Sequence, residues 1–147
     1  MKIAQIVSLQ ASVPPNTKNG LEFIVHYLTE ELIRRGHDVT LFAPGNSKTS
    51  AKLIPLFPRG VLEDSNVLLP LGAFSIWNAF YCANFSKKFD IIHSHLGDVG
   101  MFFSNFIKTP MISTIHEVES HAWKFYSENS EYKKFTSPIL KLSLIHI

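Results

Sequence analysis

Apolar positions along this chain follow two different periods, and the alternation between them predicts the layout. Lys2 to Ser8 reads KIAQIVS, a short apolar run with the length of a strand. Leu21, Ile24, Val25, Leu28 and Leu32 then recur at helical spacing, which predicts a helix from Gly20 with one buried stripe. Asn19 is placed to cap it, and Glu22 stands where it can reach back as in a capping box. Arg34 and Arg35 suit the negative C-terminal end, and Gly36 can take the left-handed conformation that stops the helix. Asp38 to Ala43 is a second strand, Pro44 to Ala51 a polar loop, Lys52 to Phe57 a short strand, and Pro58 to Ser65 irregular.

Farther on, Leu71 to Lys88 predicts a helix rich in aromatics, and FDIIHSH (Phe89 to His95) a strand buried on both faces. A helix from about Asp98 to Ile107 and the strand PMISTIH (Pro110 to His116) follow, then a helix from Ala122 to Lys134. Strands alternating with helices imply an α/β fold: a Rossmann-like parallel sheet with helices on both faces. In such sheets ligands lie beyond the carboxyl ends of the strands. The segments to watch are therefore Ser8 to Gly20, His95-Leu96-Gly97 and His116-Glu117, which should meet at one edge.

Composition narrows the class. With 147 residues, 46% apolar and 18% charged, the chain is one folded domain with a real core. A net charge of +2 is too small to imply a nucleic-acid partner. The lone cysteine, Cys82, excludes an intrachain disulfide framework and fits a reducing compartment. Inside an aromatic helix it reads as core rather than nucleophile. No secretory leader is visible. Val67 to Phe85 is apolar, but Pro70, Gly72, Ser75, Asn78 and Asn84 interrupt it, so a buried or membrane-touching helix is expected rather than a span.

The chemistry-bearing residues are few. A helix N-terminus exposes unpaired N–H groups and carries partial positive charge, so the start at Asn19-Gly20 is a seat for phosphate. The loop lacks both the dinucleotide G-x-G-x-x-G and the G-x-x-x-x-G-K-[ST] of nucleoside-triphosphate sites. His95 and His116 end strands at the predicted ligand edge, which favours binding over a purely structural role for the pair. Alternation puts His93 opposite Ser94, packed within the sheet. A metal reading fails on spacing: His116 and His121 are five apart rather than four, and no carboxylate or cysteine cluster supports them. No Gly-x-Ser-x-Gly elbow points to a hydrolase.

In combination, KIAQIVS, NGLEFIVHYLTEELIRRGHDVTLFAPGNSKTSAKL, FDIIHSHLG and PMISTIHE resemble the N-terminal domain of the family-four retaining glycosyltransferases, enzymes of the GT-B fold. The resemblance covers roughly residues 1–135 and is strongest at RRGHDVTLFAPG, H-x-H-x-G and T-x-H. It implies two Rossmann-like domains with the active site between them, a nucleotide-sugar donor held mostly by the second domain, and an acceptor held by the first. It implies that Asn19 and Gly20 approach the donor phosphates or the acceptor. The family's usual pair there is Gly-Gly. His116 matches the histidine that contacts the donor sugar near the reacting carbon and is taken as catalytic; Glu117 follows it where the family has Gly or Asp. His95 and Gly97 match the loop lining the acceptor side.

The partners so implied are a nucleotide-sugar donor and a sugar, lipid or small-molecule acceptor, with no cofactor and no metal. The implied location is cytoplasmic, with peripheral contact at the inner face of a membrane. Residues 1–141 would form the acceptor-side domain, and the nucleotide-binding half is expected to be missing from the chain, leaving it inactive alone. The last six residues, LSLIHI, are what CTG TCT CTT ATA CAC ATC encodes, a transposase adapter used in sequencing libraries. Residues 142–147 are accordingly expected to be translated adapter, with native coding sequence ending near Lys141. Two other readings stay open. One is a Rossmann-type nucleotide-dependent oxidoreductase, which would want an acid after strand two where Ala43-Pro44 stands. The other is a non-catalytic module binding a sugar or lipid acceptor.

Overall fold

Six parallel strands in the order β3-β2-β1-β4-β5-β6 form the sheet. They are β1 (Lys2–Ile6), β2 (Asp38–Phe42), β3 (Lys52–Ile54), β4 (Ile91–Ser94), β5 (Met111–Ile115) and β6 (Leu140–Leu144). The helices are α1 (Gly20–Arg34), α2 (Leu71–Ala83) and α3 (Asp98–Phe103). The computed structural model describes residues 1–16, 20–63, 71–116 and 140–144, the last as backbone. This strand order is that of a doubly wound Rossmann-like sheet, with its reversal between β1 and β4.

The two faces of the sheet differ. Ala4, Ile6, Phe42, Ile92 and Met111 project to one face and pack with Ala79 and Cys82 of α2 and Phe103 of α3. Burial there pushes the Cys82 thiol up to about 12, which keeps it unreactive. On the other face Val7 and Leu41 pack under Val25 of α1. The residues of α1 that are fully buried are Glu22, Val25 and Thr29, so the buried line is rotated from the apolar stripe; Ile24, Leu28 and Leu32 are half-buried. A hydrogen bond from Ser8 lets Glu22 take the buried side. The C-terminus of α1 closes as the sequence predicts: Gly36 has φ +84°, and the Gly36 and His37 amides donate to Ile33 and Leu32 carbonyls.

Other boundaries are shorter than the pattern suggests. β3 stops before Pro55, which has no N–H for the ladder. α2 ends at Ala83, where the Ser86 hydroxyl donates to the Ala83 carbonyl at 2.8 Å, and a 3-10 turn follows at Ser86–Lys88. A further 3-10 turn spans Val61–Glu63 within the stretch read as irregular. β6 runs parallel to β5 from Met111↔Leu140 to Ile115↔Leu144, so residues 142–144 of the tail are strand. The expected helix from Ala122 to Lys134 lies outside the described residues.

Asn78 fixes α2 over the edge that matters. It is fully buried, and its amide donates to the Val7 carbonyl at 2.8 Å, just past β1, and to the Phe42 carbonyl at 3.1 Å, at the end of β2. α3 is seated through Gly100, where an added Cβ would lie 2.5 Å from Ser94 Oγ and 2.9 Å from Ser113 Oγ. Both serines are fully buried. Gly100→Ala is expected to lower stability by about 1–3 kcal/mol, through overpacking that lifts α3 from the sheet. A urea titration of the variant checks this, and a midpoint equal to the parent's would contradict it.

Candidate functional site

β1, β4 and β5 deliver their carboxyl ends to one edge, around the point where strand order reverses. His95 directly follows β4, and its main-chain N–H donates to the Ile6 carbonyl at 2.8 Å. His116 directly follows β5. Parallel register aligns Gln5 with His93, and His93 with Ile112. Alternation then carries His95 and His116 to the face that bears Gln5 and α1. His93 lies opposite Ser94, as alternation predicts, and therefore beside His95.

The imidazoles form a connected group. His95 Nδ1 is 3.0 Å from His116 Nε2, and the ring centroids are 5.3 Å apart. His95 Nε2 is 2.8 Å from Gln5 Oε1. The His93 ring lies 4.2 Å from that of His95, and its Nε2 is 2.7 Å from the Thr114 hydroxyl. Gln5 is fully buried and His95 is 2% exposed, while His116 is half-buried with Nδ1 out of solvent. Burial, reinforced by His93 and His116, holds His95 well below the ordinary histidine range. Burial and then His116 bring His93 down to about 4. His93 and His95 are therefore neutral at pH 7.

The first helix reaches the same edge. Glu22, in its first turn, is 4% exposed and accepts from the Ser8 hydroxyl at 3.3 Å. Burial raises its carboxyl pKa, against the opposing hydrogen bonds from its own backbone and Ser8. Glu22 thus ties the helix start to the end of β1, a role hidden when it is read as a cap. Gly20 opens the helix and is exposed. Among the described residues a Cβ there would meet nothing within 4 Å, so their packing does not demand glycine. Gly97 has φ 56° and ψ −129°, a turn that side chains disfavour, and it swings the chain from His95 into α3. Asn19 and Glu117 lie outside the described residues.

The loop after β1 is held as a firm shelf. The Val13 amide donates to Ser47 Oγ at 2.9 Å, and the Lys48 amide donates to the Val13 carbonyl at 2.7 Å. The Ser12 amide and hydroxyl both donate to Glu63 Oε1, at 3.2 and 3.1 Å. Among the described residues no group of three or more His, Cys, Asp or Glu side chains is arranged to hold a metal ion, and no helix is long and apolar enough to cross a membrane.

The fold is a Rossmann-like parallel sheet of the GT-B type. The chain belongs to glycosyltransferase family 4: the model for that family matches residues 18–146. Two solved structures show the same fold. A glycosyltransferase involved in avilamycin A biosynthesis, AviGT4, superposes with TM-score 0.55 at 23% identity, over 80% of this chain and 32% of that one. A sucrose-phosphate synthase from Thermosynechococcus elongatus superposes with TM-score 0.52 at 15% identity, over 98% of this chain and 47% of that one. The chain thus spans less than half the length of each of these structures. No curated protein sequence matches it.

Neutral buried histidines make stability depend on pH. Below pH 6.5 the unfolded chain takes up protons that the folded chain refuses, so stability falls as pH drops from about 6.5 to about 4. His93 alone should remove about 3 kcal/mol once pH is below its folded value of about 4. Urea midpoints measured at intervals between pH 7.5 and 4 should decline through that window, and His93→Gln should flatten the decline. A midpoint indifferent to pH would show that these rings titrate freely in the folded chain.

Proposed function

We propose that this chain is the acceptor-side domain of a retaining glycosyltransferase that moves a sugar from a nucleotide-sugar donor to an acceptor. The observation that carries the reading is the His95–His116 contact at the switch point, on the edge where α1 begins. Sugar transfer breaks a sugar–phosphate bond and leaves a nucleoside diphosphate. The α1 amides at Gly20, with Asn19 before it, are the donor-phosphate seat in this reading, and they supply fixed partial charge without a metal. The absence of a side chain at Gly20 supports a close approach there.

His116 is the catalytic residue of the proposal. It orients the donor sugar through a hydroxyl, and its contribution is proximity and hydrogen bonding. Nδ1 is covered in the present state, so sugar binding must displace that cover. His95 and Gly97 line the acceptor side. Retention of configuration is carried over from the family resemblance. The nucleotide-binding half would come from a second Rossmann-like domain, and the present chain alone should turn over little or no donor. Nothing observed favours the nicotinamide reading, because the glycine fingerprint that would accept the dinucleotide is missing.

A full-length enzyme carrying this domain tests the proposal. His116→Ala should lower kcat by about 10²–10³ with little change in Tm, the size expected for losing one group that acts at the reacting centre. Unchanged turnover would remove His116 from the site, and a product of inverted anomeric configuration would end the retaining assignment.

A cytoplasmic protein touching the inner face of a membrane completes the proposal. Ile76, Trp77 and Phe80 of α2, Phe102 of α3 and Phe106 of the 3-10 turn Ser104–Phe106 are exposed, with exposed Lys108 two residues beyond Phe106. Co-sedimentation with anionic vesicles should be lost in the double variant Phe80→Ser, Phe106→Ser. Equal recovery with and without vesicles for the parent chain would refute the contact.

A further inference from the structure

Gln5 lies in the middle of an otherwise apolar strand, fully buried, with one amide oxygen on His95. Burying a primary amide is costly unless its hydrogen bonds are used. Gln5 Nε2 finds no partner among the described residues, so the oxygen contact is the one that the site keeps. That contact has a consequence two rings away. An amide oxygen can only accept, so His95 Nε2 must carry the proton. A neutral imidazole has one N–H, which leaves His95 Nδ1 as an acceptor. The group 3.0 Å from it is His116 Nε2, which must therefore be the donor. The chain of donation runs in one direction: His116 Nε2–H to His95 Nδ1, then His95 Nε2–H to Gln5 Oε1.

We propose that Gln5 is a positioning residue which, through His95, fixes both the ring orientation of His116 and the nitrogen that holds its proton. The assignment rests on the glycosyltransferase reading for its purpose, but not for its existence. With Nε2–H committed inward, Nδ1 of a neutral His116 is the lone-pair edge. His116 then holds one tautomer instead of a mixture of two. The strands enforce the alignment. Gln5 and His93 are register partners in β1 and β4, and the His95 amide is pinned to Ile6. Among the described residues, His93 beside His95 and Thr114 on the next strand share this face, and these two hydrogen-bond each other. Turning the Gln5 amide over would reverse every polarity in the series, so the proposal commits to one of two distinguishable states.

Imidazole nitrogen NMR on the ¹⁵N-labelled chain reads those states directly. The parent should show His95 and His116 both protonated at Nε2. Gln5→Leu removes the acceptor and should shift His95 toward the Nδ1–H form, with His116 following. Should Gln5→Leu not fold, Gln5→Glu serves instead. It keeps an acceptor, so His95 should retain Nε2–H and its titration should move to higher pH. A parent spectrum with His95 protonated at Nδ1, or a Gln5→Glu variant whose His95 titrates as in the parent, overturns the relay.

In the full-length enzyme Gln5→Leu should lower kcat about tenfold or more with a smaller change in KM, as misorientation at the reacting centre does, and Gln5→Glu should recover most of it. Parent kcat in Gln5→Leu alongside the predicted spectra would show that the relay exists but positions nothing, which ends the proposal. If the full-length parent transferred no sugar at all, the glycosyltransferase reading would fail while the spectra still decided the relay.

Discussion

Ile3 to Ile6 of β1 run parallel to Ile91 to Ser94 of β4, and the ladder continues one step past the strands, where the His95 amide donates to the Ile6 carbonyl at 2.8 Å. This pairing is where the strand order reverses, and the site depends on its register. Side chains alternate across a strand, so a slip of one residue would carry Gln5 to the opposite face from His95. It would also put Ile6 under the imidazoles and bury Gln5 among Phe42, Ile92 and Met111. The apolar face thus selects the register, and the polar face inherits its geometry from that choice. Packing of Ala4, Ile6, Ile92 and Met111 against α2 and α3 supplies the drive for this.

The polar face is costly to build, and its members hydrogen-bond one another while Gln5 Nε2 finds no partner among the described residues. Gln5, His93, His95, Thr114 and His116 occupy positions that an ordinary Rossmann sheet could fill with valine or isoleucine. Their hydrogen bonds at 2.7–3.0 Å offset the loss of hydration. Keeping His93 and His95 uncharged avoids the far larger cost of burying a cation. The tie between Ser8 and Glu22 extends the same economy to the start of α1, and Asn78 anchors α2 to the carbonyls just behind it. The start of α1, the ends of β1 and β2, and α2 are therefore tied together by side-chain hydrogen bonds that cross the element boundaries.

Most of the fold was legible because it follows from local periods. The runs KIAQI, DVTLF and MISTI and the stripe of α1 announce their elements, and the topology rule then names the edge where His95 and His116 emerge. What stayed hidden depends on neighbours distant in sequence. Glu22 has the position of a capping residue, and only the approach of Ser8 across 14 residues reveals its buried role. Gln5 offered a signal that went unread: a large amide inside a strand buried on both faces needs a buried partner. Gly100 above Ser94 and Ser113 could be recognised only from the β4–β5 register. β6 carries its own signal in the strict alternation of Leu140 to Leu144, which runs across the boundary expected near Lys141.

An uncharged relay suits one part of the proposed substrate better than another. A sugar is neutral and presents hydroxyls, and a preset imidazole edge recognises them without moving a charge out of water. A diphosphate is a dianion or more, and neutral rings offer it little. Its charge has to be met by groups whose positive end is fixed by the backbone, which is what the first turn of α1 provides. Glu22 would oppose that attraction if it were fully ionised beside the helix start. Burial raises its pKa and so weakens that opposition, because a carboxyl nearer to neutrality repels an incoming phosphate less. In the proposed function the two halves of the edge divide the donor between them, the imidazoles toward the sugar and the α1 amides toward the phosphates, a division that follows the neutrality of His93 and His95.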